Sequence, residues 1–242
     1  MTRAPAGRRL VARDRRQYPG MISPARLALV VSLAPLPLLA QTATTPHDAH
    51  RLHADPKAYV AALEDPERDA YQKPDEVLQA LDLKAGQHVA DIGAGSGYFT
   101  LRLAHHVGPT GRVHAVDVSP DMIAHLDRRV AAAGLRNVKT TLAPPDDPRL
   151  PDASIDLVFV CDVWHHIEDQ TAYLAKLRKA LKPGGRLAML DFHKRELPVG
   201  PPAEMKIARE DLLAHMERAR FRIAAEHTFL PYQYFLVFTP AP

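Results

Sequence analysis

The sequence predicts an α/β protein built on a mainly parallel sheet with helices on both faces. Two observations predict it. From Gln87 onward, short apolar runs alternate with amphipathic segments. The first apolar run, residues 89–92, ends in three glycines at alternate positions, Gly93, Gly95 and Gly97, and an amphipathic segment starts at Tyr98. That order reads as strand, tight turn, helix. Glycine admits positive φ and lets a ligand lie against bare backbone. The helix that opens there points its unpaired N–H groups at whatever sits in the turn.

The elements follow in chain order. The chain has 242 residues and a net charge of +3. That length suits one α/β domain with additions. Residues 1–40 hold seven Arg and one Asp, a balance of +6, which leaves −3 for the remainder. The folded part has no basic excess, so its charge gives no argument for a nucleic-acid partner. Within the leader, residues 21–26 are basic and residues 27–40 are apolar, interrupted by Pro35 and Pro37. This run is too short and too broken for stable membrane integration and reads as a secretory signal starting at Met21, cleaved near Ala40-Gln41. Leu38 is larger than the residue usual three places before a cleavage point. Secretion or export to a periplasm is the expected localisation. The Arg-rich, acid-poor composition also suits an organelle transit peptide, and an uncleaved membrane anchor is a third reading. The domain division is therefore 1–40 as targeting segment, 41–73 as linker and helical lead-in, and 74–242 as the globular domain.

His47, His50 and His53 share a helical spacing, but no cysteine or acid cluster completes a metal site, so the stretch reads as a solvated linker. The single cysteine, Cys161, excludes an internal disulfide; it lies in an apolar run and reads as a buried small residue. Residues 57–64 and 74–83 read as helices, the second with Asp75 and Glu76 favourably placed in its first turn. Strand His88–Ile92 then leads to a helix at 98–106. A strand at 112–116 leads to a helix at 120–133, with Ser119 as N-cap and Gly134 as stop. Strand Val138–Leu142 precedes a Pro-rich loop, and strand Ile155–Cys161 precedes a helix at 168–181. Pro183-Gly184-Gly185 turns the chain into a strand at 186–192. A helix at 209–219 precedes two β-rich runs, 221–229 and 232–238, turning at Pro231.

The second apolar run ends in Asp117, twenty residues past Gly97. An acid there suits a ribose with two free hydroxyls. A dinucleotide fingerprint would place its third glycine at position 98, which is Tyr98. The pattern D-x-G-x-G-x-G, with Asp91 on the strand, instead resembles motif I of class I S-adenosylmethionine-dependent methyltransferases. Further marks are Asp117, Leu150-Pro151 with Ser154-Ile-Asp-Leu-Val-Phe159, and Leu181-Lys-Pro-Gly-Gly-Arg-Leu187. The resemblance runs from about Pro74 to Phe238 and is nearest to small-molecule methyltransferases such as those of quinone biosynthesis.

The resemblance implies a Rossmann-like, doubly wound, seven-stranded sheet with its last strand antiparallel, and S-adenosylmethionine as cofactor. It implies that Gly93, Ala94, Gly95 and Gly97 wrap the methionine part and ribose, supported by Asp91. Asp117 takes the ribose hydroxyls, Val118 and Met122 flank the adenine, and Asp162 and Val163 lie near the methionine moiety. Asp117 can equally cap the turn before Pro120, and Met122 can be core. The acid expected after the third strand is displaced by Pro144 and Pro145 to Asp146, which either reaches the adenine amino group or is an ordinary loop acid. Tyr71 or Lys73 in the lead-in either closes over the cofactor or packs. Trp164 either walls an acceptor pocket or plugs the core. His165 and His166 are general-base candidates, and His193, also on the ligand side, can join them; the same pair can serve structurally, with one ring buried. No metal site is expected.

Methyl transfer from a sulfonium needs in-line positioning more than covalent help. An N-P-P-Y segment is absent after the fourth strand, which favours a small-molecule O, N, S or C acceptor. Two rivals remain: a nicotinamide oxidoreductase, opposed by Tyr98, and a non-catalytic binding module of the same fold. Export would separate the protein from a cytoplasmic cofactor and so favours the second rival.

Overall fold

The computed structural model describes residues 55–242. The targeting segment at 1–40 and most of the linker lie outside the described residues. A helical lead-in, α1 (Pro56–Leu63), α2 (Arg68–Gln72) and α3 (Pro74–Leu81), precedes the sheet. There follow β1 (His88–Ile92), α4 (Tyr98–Val107), β2 (Arg112–Asp117), α5 (Pro120–Ala132), β3 (Val138–Leu142) and β4 (Ile155–Cys161). Then come a 3-10 turn at Trp164–His166, α6 (Gln170–Ala180), β5 (Leu181–Phe192), α7 (Arg209–Arg218), β6 (Phe221–His227) and β7 (Gln233–Pro240).

The seven strands form one sheet in the order β3-β2-β1-β4-β5-β7-β6. The pairs β1–β2, β1–β4, β2–β3 and β4–β5 are parallel, while β7 runs antiparallel to both β5 and β6. The expected sheet, antiparallel last strand included, is the one observed. Chain order reverses between β1 and β4, so a crevice opens at their carboxyl ends. Helices cover both faces, which is why Leu157, Val158, Phe159 and Val160 of β4 are all buried without alternation. Val158 and Val160 pack with Trp164, Leu174 and Leu212 on one face. Leu157 and Phe159 pack with Leu103, Val107 and Phe235 on the other.

Local chemistry fixes the helix starts. Asp55 accepts from the N–H groups of Lys57 and Ala58 at α1, Ser119 from Met122 at α5, and Asp169 from Ala172 at α6. Several boundaries move by a residue or two, and two of the shifts have a clear local cause. Helix α6 begins at Gln170 because Asp169 is spent on the cap. Strand β5 begins at Leu181, before the Pro-Gly-Gly turn: Leu181 already pairs with Ile155, and pairing resumes at Arg186 with Leu157. The turn is thus a bulge inside the strand rather than its entrance. Among the described residues, no helix is long and apolar enough to cross a membrane.

Candidate functional site

A cavity of about 540 Å³ opens at the carboxyl ends of β1, β2 and β4, a size suited to a cofactor. Its floor is the bend after β1. Gly93 has φ +69°, and a Cβ there would fall 2.3 Å from Val163 Cγ2. The N–H groups of Gly93 and Ala94 both donate to the Val116 carbonyl, at 2.8 and 3.0 Å, which ties the bend to β2. Gly97 serves differently. It does not line the cavity; it lies behind the bend with φ +87°, where a Cβ would fall 2.3 Å from Leu126 Cδ1. Packing against α5 is by itself enough to require the glycine here. Ser96 also faces the cavity, and its buried hydroxyl has no partner.

Three carboxylates surround the floor. Asp117, at the end of β2, accepts from Gly95 N at 2.8 Å and from Ser119 N at 2.9 Å. Each oxygen keeps a further lone-pair direction, and the carboxylate is held still. Asp91, at the end of β1, accepts from Thr100 Oγ1 at 2.6 Å and so ties the strand to α4. Burial pushes its pKa up to about 6; the Asp117 charge adds to this and the Thr100 hydrogen bond opposes it. Asp162 follows β4 with φ +57°, a conformation uncommon outside glycine. Gln233 Nε2 donates to both its oxygens, at 2.7 and 2.8 Å, and holds it there. Burial first, and then the Asp191 charge, raise the Asp162 pKa to about 6 against the pull of Arg68.

Beyond Asp117 the cavity narrows to an apolar slot between Val118, Met122, Ala143, Pro144 and Pro145. Val118 is 58% exposed although apolar, as a residue reserved for a flat ligand would be. Asp146 does not enter the slot. It is exposed on the outside of the loop, 3.9 Å from Lys176 Nζ. Pro144 and Pro145, with their fixed φ, carry the chain along the slot and turn the acid away, the arrangement of an ordinary loop acid.

The lead-in closes the opposite side through Tyr59, Leu63 and Arg68. The Arg68 guanidinium lies 4.2 Å over the Tyr98 ring, donates to the Leu63 carbonyl at 3.1 Å, and stands 3.9 Å from Asp162 Oδ2. Burial works against its charge, but Cys161 and Asp162 hold its pKa above the ordinary value. Two clasps fasten this cover. Glu64 meets His125 at 2.6 Å and Arg129 at 3.0 Å on α5. Asp69 accepts from Tyr98 Oη and stands 3.4 Å from Arg102 on α4. Of the two readings for Tyr71 and Lys73, packing is the one observed, and neither lines the cavity. Tyr71 packs on Phe192 and Tyr232, and Lys73 Nζ donates to the Phe229 carbonyl at 3.0 Å. Sequence reasoning missed Tyr59, Leu63 and Arg68; an arginine in an otherwise short amphipathic lead-in was the only signal.

The wall after β4 carries Cys161, Asp162, Val163, His166, Ile167 and Glu168. Burial pushes the Cys161 thiol pKa well up, and Gln72 Nε2 sits 3.3 Å from its sulfur. Trp164 is fully buried in the core and lines nothing. The two histidines part company. His165 is buried with Nδ1 3.3 Å from Asp191 Oδ2, whereas His166 faces the cavity, and their ring centroids lie 4.1 Å apart. His193 stacks near Tyr234 instead and does not line the cavity. Among the described residues, no three His, Cys, Asp or Glu side chains are grouped to hold a metal.

Comparison with known proteins agrees with this geometry. Residues 90–187 match the family model described as a methyltransferase domain. The aklanonic acid methyltransferase DauC of Streptomyces sp. (strain C5) is 32% identical over 133 residues, 54% of this chain and 60% of that protein. The ubiquinone/menaquinone biosynthesis C-methyltransferase UbiE of Pseudomonas fluorescens (strain Pf0-1) is 33% identical over 118 residues, covering 48% and 46%. The chain thus spans about half the length of the curated relatives it matches. A solved SAM dependent methyltransferase from Aquifex aeolicus superposes with a TM-score of 0.72 at 29% identity, covering 76% of this chain and 97% of that one.

Proposed function

We propose that this chain, which belongs to the class I S-adenosylmethionine-dependent methyltransferases, moves the methyl group of that cofactor to a small-molecule acceptor by in-line displacement. The observation that carries the reading is the convergence of the Gly93–Gly95 bend, the fixed Asp117 carboxylate and the apolar slot in one cavity. Relatives named for aklanonic acid and for quinone biosynthesis support the small-molecule acceptor.

The residues present fit the cofactor. Asp117 offers its remaining lone pairs to a ribose diol. Val118, Met122 and the Ala143–Pro145 stretch offer a slot of adenine thickness. The unpartnered Ser96 hydroxyl offers a polar contact, and the bend at Gly93 lets a ligand approach without side-chain bulk. Arg68 and Asp162 carry opposite charges side by side at the far end, matched to an amino acid's carboxylate and ammonium. When bound, S-adenosylmethionine supplies a methyl already activated by positive sulfur. The protein's share is to orient the acceptor and exclude water, for which the clasped lead-in is placed.

Titration calorimetry with S-adenosylmethionine, S-adenosylhomocysteine and NAD tests the reading. Binding of the first two and not the third is expected, with Asp117→Ala and Gly95→Asp weakening it at least tenfold. Unchanged affinity in both variants refutes the site. A chain that binds but turns over no metabolite in a panel is the non-catalytic module instead. The basic and apolar runs at residues 21–40 further support a secretory signal and an exported protein; mass spectrometry of the mature N-terminus, expected near Gln41, tests that.

A further inference from the structure

The amino ends of β1 and β2 carry a second opening, at the far end of these strands from the cofactor cavity. It has a volume of about 320 Å³ and is lined by His88, Arg112, His114 and Ser154, with Pro109 and Pro151 among its walls. Strand register builds it. Arg112 pairs with His88, and His114 pairs with Lys139, across parallel strands. Residues two apart on a strand share a face. Two imidazoles, a guanidinium and an ammonium therefore stand on one side of the sheet, and none of the acids of β1, β2 and β3 shares that side.

The acids that do come near are already engaged. Asp156 of β4 accepts from His88 N at 2.7 Å and from Lys182 Nζ of β5 at 2.7 Å. Asp152, in the loop before β4, stands 3.0 Å from Lys179. Arg112 and Lys139 have no ion-pair partner among the described residues. His114 is the least satisfied group. It is only 7% exposed. Its ring meets that of His88 with centroids 6.2 Å apart, yet among the described residues no hydrogen bond reaches its nitrogens. Burial first, then the charges of Lys139, His88 and Arg112, push its pKa down to about 4. At neutral pH the ring is uncharged, with one N–H to donate and one lone pair to offer. A buried polar group left without a partner calls for an explanation, and here the charge around it has one sign.

We propose that this groove binds a phosphate-type oxyanion, held by His88, His114 and Arg112, with Lys139 adding charge from β3. This site does not depend on the methyltransferase reading and lies away from the methyl donor. A metal ion would find neutral imidazoles to its liking but would be repelled by Arg112 and Lys139. Two unpaired cations match a dianion better than a single carboxylate, and a guanidinium presents its fork to phosphate oxygens. The groove is larger than a bare phosphate, and Pro109 and Pro151 give it apolar walls, so there is room for the organic part of a monoester. Binding is linked to protons. The anion reverses the local potential that disfavours the His114 imidazolium, so the ring takes up a proton when the site fills. Affinity therefore rises as pH falls.

The test uses the full chain, with sulfate, inorganic phosphate and phenyl phosphate as probes. Sulfate keeps its two charges over the whole range and so serves for the pH dependence. The histidine ring signals of His88 and His114 in heteronuclear NMR are expected to move with added anion, and the His114 titration to rise by at least about one pH unit. Calorimetry in buffers of different ionisation enthalpy is expected to show proton uptake, with sulfate binding more tightly as pH falls from about 7 to about 5.5. Arg112→Gln, at an exposed position, is expected to weaken binding about two- to fivefold. His114→Gln is expected to abolish the proton uptake, and unchanged binding of S-adenosylhomocysteine shows that both variants are folded. Phenyl phosphate binding more tightly than inorganic phosphate assigns a monoester; equal affinities assign free phosphate. Ring signals that none of the three anions moves, or anion binding that is indifferent to both substitutions, overturn the site. So does a response to zinc with the anions silent. The methyltransferase reading stands or falls separately, on S-adenosylhomocysteine binding by the wild type.

Discussion

Gly97→Ala separates the two reasons a glycine can occupy the bend after β1. The alanine Cβ would fall 2.3 Å from Leu126 Cδ1 and 2.9 Å from Leu101 Cδ1, and the backbone holds φ +87°. Holding an alanine in the left-handed region costs about 1–2 kcal/mol. Forcing Leu126 aside adds about 1–3 kcal/mol, because Leu126 is fully buried and has little room to turn. The sum, roughly 3 kcal/mol, is a large share of the ~5–15 kcal/mol available to a domain. It corresponds to a fall in Tm of roughly 6–12 °C for a domain of this size. Urea and thermal unfolding followed by circular dichroism measure it, and titration with S-adenosylhomocysteine well below the new Tm measures the site. Because Gly97 lies behind the cavity, affinity should change by less than threefold. A variant of normal stability that binds tenfold more weakly would refute the argument and return Gly97 to the ligand cradle.

Further outcomes follow from other contacts. Glu64→Gln should loosen the cover by weakening its pairs with His125 and Arg129. Partly exposed pairs are worth ~0.2–1 kcal/mol each, so dissociation of S-adenosylhomocysteine in a stopped-flow chase should quicken about two- to tenfold; an unchanged rate removes the clasp. Asp91→Asn should alter the pH dependence of stability. The folded pKa of Asp91 is raised to about 6, so its contribution is fully present below the unfolded value near 4 and lost as pH rises through about 6. The variant lacks that loss and should gain on the wild type by about 2–3 kcal/mol between pH 4 and 7. Parallel stability curves would show that Asp91 titrates normally. Asp146→Ala should leave affinity for S-adenosylhomocysteine unchanged, since the side chain points outward to Lys176; a tenfold loss would restore it to the adenine pocket.

The floor of the site was legible because strand ends are periodic features. Once β1 and β2 are read from their apolar runs, parallel pairing in register, with Ile92 beside Val116, brings Gly93 and Asp117 together without further information. The positions that escaped are those whose role is decided across the sheet. Gly97 and Gly93 carry the same signature, yet one yields to Leu126 and the other to Val163; spacing cannot say which side of a bend is crowded. Asp146 keeps its place in the chain but not its direction, because two prolines intervene. Arg68 opens a five-residue helix too short to announce a buried face, and only docking over Tyr98 makes it part of a cavity. His165 and His166 were visible as a pair, but which ring turns inward depends on Asp191, 26 residues away. The contrast has a functional consequence. The floor at Gly93 and Asp117 is assembled from the alternating strand and helix order, so a resemblance locates it directly, while Gly97 and Asp146 mark where that transfer stops. The opposite wall of the cavity is assembled from the lead-in and from the turn after β4, which obey no repeat. Changes in those two segments therefore reshape this wall without disturbing any residue that the cofactor pattern makes recognisable.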